Sequence, residues 1–206
     1  MPTIRSNLSI PLTHLSRIED DRMDTGSPVK HRSETAFRPL CVKCGVFGAQ
    51  DGSGYAEFGN TRVLAQITGP GGDGKWELDY AKIIVTLKGL DNELKIAEYR
   101  SELASSASAL IFAHKYPGKV IEIEVTVLCD DGGVLSTALT AVTLALAHSG
   151  IENAGLAASV HVAMRPNGEY ITDPSSSECL GTIGGVTLAF VPNLRQTTSQ
   201  DRGPLL

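Results

Sequence analysis

Two short stretches hold residue types that could do chemistry around an anion. In CDDGGVLSTAL, Cys129 to Leu139, an acidic pair and a double glycine run straight into an apolar segment. Backbone N–H groups at a helix start, preceded by glycines, favour an anion. The side chains that follow, Val134 and Leu135, offer a phosphate nothing. In GPGGDGKW, Gly69 to Trp76, the first seven positions match the phosphate-loop pattern G-x-x-x-x-G-K-[ST]. The eighth residue is Trp76, which cannot hold magnesium, and the segment behind it alternates like a strand. A flexible hairpin connection is expected there, not a nucleotide site.

The other reactive residue types form no site. Cys41 and Cys44 make a single C-x-x-C without a second pair for zinc, and in a strand their side chains point to opposite faces. Histidines at 14, 31, 114, 148 and 161 show no ligand spacing. No metal ligand set and no cofactor is therefore expected. Asp130 and Asp131 precede a helix start, where carboxylates complement the dipole, and capping is the expected role.

The elements that would position these residues follow from periodicity and punctuation. LCVKCGVF reads as a strand, AQDGSG as a turn, YAEF as a strand, GN as a hairpin turn and TRVLAQIT as a strand. WELDYAKIIVTL alternates and adds another. DNELKIAEYRSELASSASALIFAHKYPG reads as a helix capped by Asp91 or Asn92, stopped by Pro117 and Gly118, and buried along Leu103, Ala107, Leu110 and Ile111. KVIEIEVTVLC is a clean strand. The helix after it, 133–149, is apolar nearly all round, which implies burial on most faces. GLAASVHVAM and GVTLAFV complete an α+β pattern of mixed or antiparallel sheet with helices packed on it.

Residues 1–35 carry mixed charge and no sustained apolar period, and read as a flexible N-terminal arm; 36–195 form the domain and 196–206 a polar tail. Six basic residues, Arg5, Arg17, Arg22, Lys30, Arg32 and Arg38, are scattered among acids at this end, and the acidic run at 19–21 argues against a mitochondrial transit peptide. With 206 residues, 42% of them hydrophobic, the chain can bury a core without staples. Four scattered cysteines do not form a secreted disulfide framework. No apolar run suits a membrane span, and an intracellular place is expected. A formal charge of −5 argues against a free-standing nucleic-acid binder, so any RNA contact must come from a local patch or a larger assembly.

Three blocks in order, GSGYAEFGNTRVLAQITGP, YPGKVIEIEVTVLCDDGGVLSTALTAVTLALAHSGI and YITDPSSSE followed by GGVTLAFVPN, resemble the RNase PH family over about residues 34–195. Within it they resemble the RNase PH-like ring subunits of the eukaryotic RNA exosome, the mRNA transport regulator type fitting best. The resemblance implies an RNase PH-like fold with a C-terminal helix, for which the sequence after the VPN segment has no candidate, so that helix is expected to be missing. It implies phosphorolysis of RNA in active members, which needs a phosphate cradle, basic residues and paired metal-binding carboxylates.

Carried onto this chain, those positions are degenerate. The Thr-Arg after the double glycine is Val134 and Leu135; the two carboxylates are Cys179 and Gly185; arginines of the preceding helix fall on Glu102, Ser106 and Ala109. Gly132 and Gly133 remain, Glu178 lies one position from a carboxylate place, and Arg62 is a candidate contact to RNA or a neighbouring subunit. The resemblance thus implies a non-catalytic ring subunit. Its implied partners are other RNase PH-like subunits and RNA-binding cap subunits, with RNA passing through the assembled ring and no membrane. Its implied setting is the nucleus, nucleolus and cytoplasm.

Overall fold

The computed structural model describes residues 32–33, 35–47, 52–72, 79–192 and 196–202. Met1–Ser33 and Glu34–Leu206 are separate units, so nearly all of the expected N-terminal arm lies outside the described residues. So do residues 73–78, which take in the second half of the glycine-rich stretch, while Gly69–Gly71 form the end of a strand.

The second unit contains two sheets. The first has strands β1 (Leu40–Cys44), β2 (Gly52–Phe58), β3 (Thr61–Gly71), β4 (Lys82–Lys88) and β5 (Val120–Cys129), in the order β1-β2-β3-β5-β4. All its pairs are antiparallel except β4 with β5, which are parallel and joined through helix α1 (Glu93–Leu110), as a parallel pair requires. The second sheet holds β6 (Ala158–Met164), β7 (Tyr170–Thr172), β8 (Gly184–Val191) and β9 (Gln196–Arg202), ordered β7-β6-β8-β9 and antiparallel throughout. Helix α2 (Val134–Ser149) lies against β2 and β3 of the first sheet and also touches β6 and β8 of the second. Two-sided packing is the physical reason for its apolar surface: Ala141, Val142, Ala145 and Leu146 are all at most 2% exposed.

The strand alternation does what it implied. Along β5, Ile121, Ile123, Val125 and Val127 enter the core while Glu122 and Glu124 face out. On α1, the Asn92 side chain accepts from the N–H groups of Leu94 and Lys95, and Leu103, Ala107, Leu110 and Ile111 are buried.

Three expectations are corrected. Gly52, Ser53 and Gly54 belong to β2, not to a turn. Their role is close approach: a Cβ on Gly52 would sit 2.7 Å from the Ala145 carbonyl oxygen of α2, and one on Gly54 would collide with that of Ala141. Helix α1 ends at Leu110, well before Pro117, because the chain there pairs elsewhere. Ala154 N–H donates to Leu110 O and Phe112 N–H to Glu152 O, and a 3-10 turn covers Ala113–Lys115. Finally, most of the polar segment read as a tail is strand β9, held by its backbone ladder to β8. Among the described residues no helix is long and apolar enough to cross a membrane.

Candidate functional site

The loop Cys129–Gly133 joins the end of β5 to the start of α2, and its conformation demands glycine. Gly132 has φ 87° and Gly133 has φ 66°. A Cβ on Gly132 would stand 2.6 Å from the Pro174 carbonyl oxygen, so the loop is pressed against the segment leading into α3 (Ser176–Cys179). Gly133 is the N-cap of α2 and no side chain caps the helix there; the capping expected of Asp130 and Asp131 does not occur. Instead Ser136 and Thr137 hydroxyls donate back to Gly133 O, and the two acids hold the loop. Asp130 Oδ1 accepts from Gly132 N–H at 3.0 Å. Asp131 accepts from Asn60 Nδ2 through Oδ2 and from Ser176 N–H through Oδ1.

Beneath the loop sits Arg38, one of the six basic residues scattered among acids at the N-terminal end. Arg38 is 8% exposed, and its guanidinium donates twice to the fully buried Asp173, from Nε at 2.9 Å and Nη2 at 2.7 Å. The same group donates from Nη1 to Asp131 O at 2.7 Å and from Nη2 to Gly132 O at 3.1 Å. Thr61, also fully buried, donates to Gly132 O at 2.6 Å and accepts from Asp131 N–H. The loop is therefore clamped through its carbonyls, by an arginine 93 or more residues away in sequence. No local pattern marks such a pair.

Above the loop opens a cleft of about 250 Å³. It gathers six of the seven candidate residues: Gly132, Gly133, Val134, Leu135, Cys179 and Gly185. Val134 and Leu135 form an apolar floor, each under 5% exposed. Burial raises the Cys179 thiol above its ordinary pKa; Arg38 opposes this, while Glu178, Asp130 and Asp131 add to it. The thiol is thus held neutral, the form that neither ligates a hard cation nor attacks.

At Gly185 the missing side chain has a substitute. A Cβ built there would lie 2.9 Å from both Cε1 and Nε2 of His161, so the imidazole occupies the space a carboxylate side chain would need. His161 Nδ1 contacts Thr187 Oγ1 at 2.9 Å, fixing the ring. Glu178 is directed elsewhere: its Oε2 accepts from the Ser175 N–H and hydroxyl in a capping box at the start of α3.

Arg62 does not reach the cleft. It pairs with Glu57 at 3.3 Å on the outer face of the first sheet, and Tyr55 donates to the other Glu57 oxygen at 2.6 Å. Nor do Glu102, Ser106 and Ala109 line the cleft; α1 presents Lys95 and Tyr99 to it, one turn apart near its start. These two residues lie two turns before Glu102 and Ser106, the positions that the resemblance implied. Lys95 is therefore a cation at the cleft that the sequence reading missed.

The model of the 3′ exoribonuclease family, domain 1, matches residues 36–152. The exosome complex component MTR3 of Mus musculus is 27% identical over 197 residues, covering 80% of this chain and 70% of that protein. The crystal structure of Rrp46 from rice, Oryza sativa, superposes with a TM-score of 0.77 at 24% identity, covering 87% of each chain. A chain of the Archaeoglobus fulgidus exosome with RNA bound to the active site gives a TM-score of 0.73 at 20% identity, over 93% of this chain and 86% of that one.

Proposed function

The chain belongs to the RNase PH family of 3′ exoribonucleases, and from that premise we propose that it is a non-catalytic subunit of an RNA exosome core ring. Its similarity to a component named for the exosome supports the assembly, and the cleft supports the loss of chemistry. The observation that carries the reading is the content of that cleft. Asp130's own carboxylate takes the Gly132 N–H, Leu135 floors the helix start, and the His161 ring fills the side-chain space at Gly185 beside a neutral Cys179.

Phosphorolysis brings an inorganic phosphate against the phosphodiester of an RNA end, so two anions must be drawn together. One well-placed charge stabiliser is worth ~3 kcal/mol in such a transition state, a hundredfold or more in rate. Among the described residues lining the cleft, Lys95, exposed at the rim, is the one lysine or arginine, where the reaction asks for a cradle, basic side chains and a metal pair. The role is then architectural: pairing with other RNase PH-like subunits, seating RNA-binding cap subunits, and framing the passage of RNA to an associated nuclease. Ribosomal RNA maturation and mRNA turnover in nucleus, nucleolus and cytoplasm are the processes this implies.

Lys95 also motivates the second reading, an active phosphate-dependent exoribonuclease with altered site residues. A third, an oligomer outside the exosome, differs in its companions. Affinity purification of the tagged chain should recover further RNase PH-like chains; recovery of the chain by itself would favour the third. The purified protein should release no nucleoside diphosphate from an RNA tail with phosphate and magnesium or manganese. Release that Lys95→Met or Glu178→Gln abolished would establish the second reading.

A further inference from the structure

The other end of β5 is built differently. There β4 and β5 start side by side, and two backbone bonds stitch three segments into one surface: Ala81 N–H to Ala113 O at 2.9 Å and Lys82 N–H to Lys119 O at 2.8 Å. The segments they join carry both cations and rings. Tyr80 is 59% exposed, Phe112 is 36% exposed, and Lys82, His114, Lys115 and Lys119 are all exposed. Lys115 Nζ stands 5.4 Å from the centroid of the Phe112 ring, and the His114 ring lies 5.9 Å from that same ring. Glu152 pairs with Lys115, and the neighbouring acids are Asp79 before Tyr80 and Glu122, which lies opposite Ile84 on the outer face. Among the described residues no carboxylate pairs with Lys82 or Lys119.

We propose that this surface, Tyr80, Lys82, Phe112, His114, Lys115 and Lys119, binds single-stranded RNA. A chain of charge −5 has no general attraction for a polyanion, so a local cluster of exposed lysines, two of them without a carboxylate partner among the described residues, marks where one could lie. The rings separate RNA from an acidic protein as the ligand. Exposed tyrosine and phenylalanine between lysines give unstacked bases a platform while the lysines follow the phosphates, whereas an acidic peptide would need only the charges. Sequence preference should be weak, because stacking and phosphate contacts carry little base information. The site lies roughly 30 Å from the Asp130–Gly133 loop, the length of the ten-residue β5, and so does not depend on the cleft's chemistry.

The test is fluorescence anisotropy of a labelled short uridine oligomer with the full chain, purified with whatever subunits accompany it, across a salt series. The wild type should bind more weakly as salt rises. Replacing both Lys82→Ala and Lys119→Ala should lower the slope of log affinity against log salt by roughly 1.4, about 0.7 for each phosphate no longer neutralised. Tyr80→Ala should weaken binding about fivefold or more with the slope unchanged, and Tyr80→Phe should restore it. Crosslinking with a 4-thiouridine oligomer should map to peptides containing Tyr80 or Phe112. A wild-type slope in the double variant, or crosslinks at the Gly132 cleft instead, would overturn the proposal. So would polyglutamate competing as well as RNA while Tyr80→Ala changes nothing, which would mark a protein-docking surface. Membership of a ring is read by co-purification, so its failure and this one are separable.

Discussion

The two ends of strand β5 show opposite ways of treating charge. At its C-terminal end the acids of the Asp130–Gly133 loop and the arginine beneath it are tied to the protein itself: Arg38 to Asp173 and two loop carbonyls, Asp130 to Gly132 N–H, Asp131 to Asn60 and Ser176. At its N-terminal end Lys82 and Lys119 stand exposed beside exposed rings. For Arg38 and Asp173, both buried, burial is the reason. An ion taken out of water must be paired or it destabilises the fold by several kcal/mol, whereas an exposed lysine stays solvated and available to a ligand. The glycine-rich end is a structural joint, and the other end carries the surface proposed to take a polyanion.

The sharpest way to break this contrast is Arg38→Ala. It strands Asp173 in the core and should cost about 3–5 kcal/mol, read as a lowered urea midpoint or as loss of soluble protein. Arg38→Lys should recover only part of this, since an ammonium cannot make the paired bonds to both Asp173 oxygens. A near-wild-type midpoint for Arg38→Ala would show that the clamp is incidental.

Gly132→Ala comes next. A left-handed φ and a Cβ 2.6 Å from Pro174 O should together cost about 1–3 kcal/mol, measured in the same titration. The paired change Lys82→Ala and Lys119→Ala should by contrast stay within about 0.5 kcal/mol of wild type, as surface substitutions do. A large loss there would mean that the N-terminal end is structural as well.

The smallest effect is a pH dependence on the outer face. Burial, reinforced by the hydrogen bond to Glu57, raises the Tyr55 phenol well above its ordinary value. The folded state then favours the proton, so this contribution is full below the unfolded tyrosine pKa of about 10 and is lost as pH rises through the folded value. Tyr55→Phe should flatten the decline of thermal stability above about pH 10. An unchanged decline would assign it to other groups.

Much of this could be read in advance wherever the cause was local. Alternation placed β5, apolar residues on every side foretold that α2 would be buried, and Asn92 marked the start of α1. Val134, Leu135, Cys179 and Gly185, the positions that family resemblance singled out, do line one cleft. Strand β9 was not legible, because an edge strand of Gln, Thr and Ser is held by backbone bonds to β8 and shows no apolar period. Lys95 and Tyr99 were missed because which turn of α1 faces the cleft depends on how the helix packs, which no residue spacing along it states.

By itself the sequence determined residue types and local periods: where helices and strands form, which faces are apolar, and which reactive groups are absent. Only the tertiary structure decided which distant groups meet. Arg38 and Asp173 are 135 residues apart, His161 and Gly185 lie on different strands, and the Tyr80, Phe112 and Lys119 segments join through two backbone bonds. A buried ion pair, a ring filling another residue's space and a composite surface all depend on three-dimensional distance, and no periodicity along a chain encodes that.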